Sequence, residues 1–128
     1  MSWGLNVEMD FYSRVWHVVR AIPFGRVTTY GAIANYLSVK RGARLVGYAM
    51  NASHTATPPV PAHRVVNHAG YLTGKFHFPT PTTMQELLEA EGVVVVNDRV
   101  RDFTKVFWDP LRHLPLPEIF FAEALRSG

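Results

Sequence analysis

Three helix-periodic segments separated by short turns occupy the first half of the chain, and this pattern most constrains how it folds. In the first segment, Met9–Ala21, apolar residues recur at near-helical spacing until a Pro and a Gly end the run. The second covers Tyr30–Leu37, with Thr28 or Thr29 suited to cap its free amides. A turn over Ser38–Gly42 leads to the third. The spacing predicts a three-helix core.

The third segment, Ala43–Ala52, would complete a helix-turn-helix unit. We expect Leu45, Val46 and Ala49 to face inward, because they lie on one side of such a helix. The residues that remain available to a partner would be Arg44, Gly47, Tyr48 and Asn51. In DNA-binding proteins with this unit the second helix enters a groove. Many other helical proteins contain two helices and a Gly-bearing turn, so the spacing alone favours an ordinary helical core.

Two small hairpins are predicted further along the chain. In the first, Arg64–Val66 and Tyr71–Thr73 would pair across a turn-rich linker. In the second, Val93–Val96 and Arg99–Phe103 would pair across an Asn-Asp turn and would serve as a wing or cover the core. The fold class expected from these elements is mainly α, a winged helix-turn-helix domain with small β-hairpins.

A helix over Thr83–Glu91, ended by Gly92, lies between the hairpins, and an aromatic-rich segment over Phe107–Leu125 follows them. We expect that segment to pack on the domain. A partner-binding tail is the alternative, which exposed aromatic residues there would favour. The predicted organisation is a single domain over residues 1–128, with residues 103–128 as a C-terminal extension packed on it.

Charge is unevenly distributed, although the net charge is only +3. Asp and Glu are absent from Phe11–Gln85, and the ten carboxylates lie on either side of this stretch. The cations within it are Arg14, Arg20, Arg26, Lys40, Arg41, Arg44, Arg64 and Lys75. Such a stretch produces a positive surface field that attracts nucleic acid phosphates or an anionic membrane, or it forms an ordinary solvated basic face.

Several classes of protein are excluded or disfavoured. The chain has no Cys, which excludes disulfides, iron–sulfur clusters, thiolate zinc sites and cysteine nucleophiles. No apolar run approaches the roughly 18 to 20 residues of a membrane span, and Met1–Asp10 lacks the basic start and apolar run of a signal peptide. We therefore expect a soluble protein of the cytoplasm. No metal or cofactor is expected, since no usual ligand spacing connects His54, His63, His68 and His77.

The segment Pro61–Val66, Pro-Ala-His-Arg-Val-Val, resembles the active-site signature of the O6-alkylguanine-DNA alkyltransferases, with Ala62 where that family has its cysteine. The resemblance covers roughly Phe11–Gly92, which corresponds to the family's DNA-binding domain, and we expect the family's N-terminal domain to be absent. Three further stretches are similar in the same order: Ile-Pro-x-Gly-x-Val-x-x-Tyr-x-x-Ile-Ala at Ile22–Ala34, Ala-Arg-x-Val-Gly-x-Ala-Met at Ala43–Met50, and Leu-Leu-x-x-Glu-Gly at Leu87–Gly92.

The resemblance implies a mode of DNA binding. The family's third helix lies in the minor groove, an Arg at its start fills the space of a flipped-out nucleotide, and a Tyr helps rotate the phosphate. Arg44 and Tyr30 match these two positions, with a surface ion pair and a half-buried core aromatic as the respective alternatives. Small residues at Ala43 and Gly47 would let the helix backbone approach a narrow groove. The expected DNA-binding residues are Tyr30, Lys40, Arg41, Ala43, Arg44 and Gly47.

A base pocket and a catalytic relay are also implied. The pocket would consist of Met50, Ala62, His63 and Val65, although core packing explains Met50 and Val65 as well. In the family a His passes the thiol proton towards a Glu, and His63 and Glu91 match that pair. Alkyl transfer is excluded, because Ala62 has no nucleophilic atom. We also expect this small residue to leave a roomier pocket than a larger residue would, and therefore to tolerate larger O6 adducts.

This combination matches the alkyltransferase-like proteins, which bind O6-alkylguanine in DNA without repairing it and pass the lesion to nucleotide excision repair. The expected partners are double-stranded DNA containing alkylated guanine and nucleotide excision repair proteins, bound by a monomer associated with the nucleoid. Two departures are the Ala at position 62, where the best-known of these proteins have Trp, and the segment Lys75–Phe78, which replaces the family's Tyr-x-Gly-Gly and changes the pocket lid.

Three alternatives fit the same residues. An engineered Cys-to-Ala change at position 62 would make the native protein an active methylated-DNA–protein-cysteine methyltransferase. His63 and Glu91 could instead activate water for hydrolysis of an adduct or a glycosidic bond. A winged-helix transcription regulator would read the major groove, but it would need polar base readers along the third helix, where small residues predominate.

Overall fold

The computed structural model describes residues 9–127, and it begins with the three helices that the sequence predicts. They are α1 over Phe11–Arg20, α2 over Tyr30–Tyr36 and α3 over Ala43–Asn51. Thr29 caps α2, because its hydroxyl accepts a hydrogen bond from the amide of Ala32 at 3.0 Å. The predicted mainly α fold is confirmed.

Helix α3 packs against both other helices through one buried stripe. Val46, Ala49 and Met50 form it, each no more than 4% exposed. The prediction that Leu45 also faces inward is wrong, since its side chain is 44% exposed. The stripe follows the i, i+3, i+4 spacing from position 46, and the preceding residue is turned about 100° away from it. The indole of Trp16 in α1 donates to the carbonyl of Ala49 at 2.8 Å and joins α1 to α3.

The turn between α2 and α3 requires a glycine at Gly42. A Cβ at this position would lie 2.7 Å from the carbonyl oxygen of Val39 and 2.9 Å from the Cβ of Ala34, closer than non-bonded atoms approach. The absence of a side chain therefore allows α3 to start directly against the end of α2.

The first predicted hairpin is wrong. Val65–Val66, strand β2, pairs in parallel with Thr28–Thr29, strand β1, and not with Tyr71–Thr73. Both residues of β2 are buried, which suits a strand enclosed within the fold better than an exposed hairpin. The side chain of Asn67 closes the following turn by accepting a hydrogen bond from the amide of Tyr71 at 2.8 Å.

The second predicted hairpin is confirmed. Strands β3, Val95–Val96, and β4, Arg99–Val100, pair antiparallel across Asn97 and Asp98, both of which adopt positive φ as a two-residue turn requires. Its inward valines are buried in a second apolar cluster, so the hairpin covers the core.

Helix α4 spans Thr83–Ala90 and packs beside that hairpin. Gly92, at φ +85°, ends the helix as predicted, and its amide together with the next one donates to carbonyls of the last turn. The ending places the side chain of Glu91, the C-cap residue, close to the start of β2.

Three helices complete the described chain: α5 over Phe103–Val106, α6 over Pro110–His113 and α7 over Pro117–Ser127. Trp108 and Phe121 from this region are at most 8% exposed and belong to the same apolar cluster as the first three helices. None of the helices within residues 9–127 has the length and apolar character needed to cross a membrane.

Candidate nucleic-acid interface and base pocket

The outer side of the helix-turn-helix unit carries most of the predicted DNA-binding residues. The exposed residues are Lys40 and Arg41 in the turn before α3, and Ala43 and Arg44 on α3 itself. Gly47, also on α3, is partly exposed. The space above Gly47 is open, because a Cβ built there would meet no atom within 4 Å. Another molecule can therefore approach the backbone of α3 closely at this point.

The cations on this surface form no ion pair with the described part of the chain. No salt bridge among residues 9–127 involves Lys40, Arg41 or Arg44. The alternative interpretation of Arg44 as a surface ion pair thus has no support in this part of the chain. A free guanidinium on an exposed helix is available to a phosphate or a base.

A small cavity lies beside Ala62 at the end of α3, and we call it the base pocket. The structure brings together Tyr30, Met50, Ala62 and Val65 in its wall. His63, also predicted to line the pocket, does not lie in its wall, because its imidazole is turned to a carboxylate elsewhere.

Three aromatic side chains, which we call the aromatic lid, also line the base pocket: His54, His77 and Phe78. The ring of His54 lies edge-on to Phe78 at a centroid distance of 4.7 Å and parallel-displaced to His77 at 6.4 Å. The free volume left is ≈ 10 Å³, about one water molecule. His54, His77 and Phe78 thus leave little free space beside the small Ala62, and tolerance of larger adducts stays a prediction.

Tyr30 contributes to the wall of the base pocket and is partly buried against the core. Burial raises the pKa of Tyr30, and an interaction with Thr73 offsets part of the rise. A Cβ at Gly74 would lie 3.0 Å from the Tyr30 hydroxyl, so the segment after β2 passes directly over this oxygen. The placement is that of the half-buried aromatic residue considered as the alternative for Tyr30.

The carboxylate of Glu91 binds three residues from two segments of the chain, His63, Arg64 and Gly25, and we call this arrangement the Glu91 clasp. His63 Nε2 lies 2.6 Å from Glu91 Oε2, and the Arg64 guanidinium donates to both oxygens, with Nη2 at 2.8 Å from Oε2 and Nε at 3.0 Å from Oε1. The amide of Gly25 donates to Oε1 at 2.8 Å. Arg64 also donates to the carbonyl of Ile22 at 2.8 Å, so the clasp fixes the turn after α1.

The clasp makes Glu91 a poor proton acceptor. Burial of the carboxyl raises its pKa, but hydrogen bonds from Arg64, Gly25 and His63 outweigh burial and lower the pKa of Glu91 to about 2. A carboxylate that already accepts from a guanidinium gives little help to an imidazole acting as a base. The geometry thus favours a structural role for His63 over activation of water.

Sequence reasoning missed Arg64 in the clasp, and His54 and Met84 in the wall of the base pocket. Arg64 follows His63 in one 3-10 turn, so the pair of adjacent donors was the available signal. Met84 shares the inward face of α4 with Leu88, a periodicity that indicated burial but not a pocket. No set of three His, Asp or Glu side chains among residues 9–127 is arranged to hold a metal ion.

Comparison with known proteins agrees with this arrangement. The family model described as the DNA-binding domain of 6-O-methylguanine DNA methyltransferase matches residues 10–93. Alkyltransferase-like protein 1 of Schizosaccharomyces pombe is 34% identical over 105 residues, which are 79% of this chain and 96% of that protein. The DNA base-flipping protein of Escherichia coli is 38% identical over 107 residues, 82% of this chain and 79% of that protein.

A solved structure supports the same relationship. The crystal structure of S. pombe Atl1 in complex with damaged DNA containing O6-carboxymethylguanine superposes with a TM-score of 0.67 at 34% identity, covering 80% of this chain and 99% of that one. The sequence match, the helix-turn-helix unit and the pocket beside position 62 lead to one conclusion: the chain belongs to the O6-alkylguanine-DNA alkyltransferase family, as an alkyltransferase-like member with Ala62 in place of the active-site cysteine.

Proposed function

We propose that this protein binds double-stranded DNA containing O6-alkylguanine, flips the modified nucleotide into the base pocket and leaves the alkyl group in place. The observation that carries the proposal is a family pocket whose reacting position, Ala62, ends in a methyl group in a chain without any cysteine. A methyl group has no lone pair with which to attack the alkyl carbon and displace the guanine oxygen, so binding is the activity left to the site. A relative named for base flipping and another solved with alkylated DNA support this function.

Helix α3 links the two parts of the proposed mechanism. Arg44 lies in its first turn and Met50, in the pocket wall, lies six residues later, a rise of about 9 Å along the axis. One helix therefore presents a cation to the duplex and a pocket wall to the extruded base. Arg44 fills the gap left in the stack, Lys40 and Arg41 contact phosphates, and Tyr30 assists rotation of the nucleotide.

The modified base provides the selectivity. An O6-alkylated guanine pairs weakly, so it leaves the stack at lower cost than guanine does. The apolar wall of Met50, Val65 and Ala62 then receives the alkyl group. The occupied complex marks the lesion for nucleotide excision repair proteins. The protein acts as a monomer in the cytoplasm, where it associates with the nucleoid. Residues 1–128 act as one DNA-binding domain in this scheme, with 103–128 as its packed extension.

Equilibrium binding to two matched duplexes tests the proposal. One carries a single O6-methylguanine and the other guanine at that position, and the recovered DNA is digested and analysed for the lesion. Tighter binding of the lesion duplex, with the lesion intact, is expected. Equal binding to both duplexes would favour a transcription regulator, and loss of the methyl group would show that chemistry takes place.

Two variants test the assignment of Arg44 within this function. Arg44→Ala should weaken lesion binding by more than about 2 kcal/mol, because it removes the group that occupies the vacated stack. Arg41→Ala removes only a phosphate contact and should cost less than about 1 kcal/mol, with a shallower salt dependence. Equal losses in the two variants would contradict the finger role of Arg44.

A further inference from the structure

The base pocket must open before it can take a base. Its free volume of ≈ 10 Å³ holds about one water molecule. Met50, Val65 and Met84 resist displacement, because they are at most 4% exposed and pack within the core. His54 and His77 are exposed and lie in short 3-10 turns. An entering base therefore displaces the two histidines of the aromatic lid and leaves the walls in place.

Two imidazoles line the pocket that a base would enter. His54 and His77 line the pocket from different segments, one following α3 and the other preceding α4. Tyr30 is the other titratable residue in the wall, and neither Asp nor Glu is among the residues that line the pocket. Two other ionisable residues lie near the lid in sequence and have partners elsewhere: Lys75 is paired with Asp98 at 2.6 Å, and His63 is held by the Glu91 clasp. The two lid histidines are thus the groups that can introduce charge into this pocket.

On the basis of the proposed function, we propose that His54 and His77 make the pocket selective for O6 adducts that end in an anionic group. A protonated imidazole donates a charge-assisted hydrogen bond to a carboxylate, and such a bond is strong where the surroundings are apolar. With both imidazoles neutral, a carboxylate in the pocket loses its hydration without gaining a cationic partner. The same adduct is therefore favoured or disfavoured according to the protonation of the lid.

The closed lid holds His54 towards its neutral form. Burial lowers the pKa of His54, and the neighbouring His77 adds to the effect. A carboxylate bound between the rings acts in the opposite direction, because a nearby negative charge favours the protonated imidazole. Selectivity for an anionic adduct over a neutral adduct of equal size should consequently rise as the pH falls from about 8 to about 5.5, where a carboxylate stays ionised.

The test uses two duplexes of identical sequence, one containing O6-carboxymethylguanine and the other O6-carbamoylmethylguanine. The two adducts have nearly the same size and differ by one charge. The ratio of their dissociation constants, measured at constant ionic strength, should shift in favour of the carboxymethyl adduct by about tenfold between about pH 8 and about pH 5.5. Effects of pH on phosphate contacts affect both duplexes and cancel in the ratio.

Variants assign the effect to the lid. In His54→Asn/His77→Asn the ratio should stay constant with pH, while His68→Asn, a change at an exposed turn residue outside the pocket, should behave as the wild type. A constant ratio in the wild type overturns the inference, and so does a shift that persists in the double variant. If the double variant folds poorly, the single variants His54→Asn and His77→Asn replace it: a smaller shift in each supports the inference, and a full shift in both overturns it.

The outcome separates this inference from the function on which it rests. If neither adduct is preferred over unmodified guanine, the proposed function fails. If both adducts are preferred and their ratio does not respond to pH, the protein is a lesion binder and the histidines do not read charge.

Discussion

Replacing Gly47 by Ala should make the protein more stable and a weaker DNA binder. Gly47 lies in the middle of α3, and a Cβ there would meet no atom within 4 Å, so the added methyl group costs no packing. Ala is favoured over Gly inside a helix by about 0.8 to 1 kcal/mol. For a chain of this length the melting temperature should rise by about 3 to 5 °C.

The effect on binding has the opposite sign, because the proposed complex brings the backbone of α3 against the groove floor. A methyl group at position 47 holds the two surfaces apart and weakens the contacts of the whole helix. We expect about a threefold loss of affinity for a lesion duplex in Gly47→Ala, and more than about tenfold in Gly47→Leu. A rise in stability together with a loss of affinity would show that the methyl group disturbs the interface with DNA and leaves the fold intact.

Thermal denaturation and fluorescence anisotropy with a labelled O6-methylguanine duplex measure the two effects on the same protein. Ala90→Leu is the matched control, since it enlarges an exposed position on α4, outside the helix-turn-helix unit, and should leave affinity unchanged. Wild-type affinity in Gly47→Leu, together with the raised melting temperature, would refute the placement of α3 in the groove.

Further predictions concern stability. Glu91→Gln should lower the free energy of unfolding by about 3 kcal/mol, because it leaves the partly buried Arg64 without its anion. Urea denaturation measures this loss, and a value under about 1 kcal/mol would contradict a structural clasp. Since the pKa of Glu91 is lowered to about 2 from an ordinary 4.5, its contribution of about 3 kcal/mol is complete above about pH 4.5 and is lost as the pH falls towards 2. The stability difference between wild type and Glu91→Gln, followed against pH, should disappear over that range. Gly42→Ala should destabilise the protein by about 2 kcal/mol or more, because the new Cβ overlaps the Val39 carbonyl, and an unchanged melting temperature would show that the turn can relax.

Local periodicity was sufficient to predict helices α1 to α4, a cap at Thr28 or Thr29 and the β3–β4 hairpin, because each depends on residues close in sequence. It did not predict the helices α5, α6 and α7. The β1–β2 pair was not predictable in this way. It joins Thr28 to Val65, and nothing local at either strand specifies the other. The sequence pattern of a buried two-residue strand is also too short to choose between parallel and antiparallel partners.

Family motifs predicted where the candidate site lies in the chain, but they did not predict its side-chain contacts or that its pocket is closed. The motifs placed Met50, Ala62 and Val65 together, and the structure agrees. They could not show that Arg64 joins Glu91 or that the aromatic lid closes the pocket. The first feature joins side chains from two separate motifs, and neither motif specifies the contact. The second depends on side chains that lie outside the motifs or in the segment that departs from the family pattern.

The Glu91 clasp gives the His–Glu pair a structural role that is distinct from its catalytic role in an alkyltransferase. In an alkyltransferase the pair serves the nucleophile, and loss of the nucleophile would free both residues to change. Here the carboxylate also fastens the end of α4 to the turn at Gly25 and to the 3-10 turn at Ala62–Arg64. Selection for a stable fold is therefore enough to retain the His63–Glu91 pair. A cysteine-free member of this family that keeps the pair thus gives evidence about its architecture and none about residual catalysis.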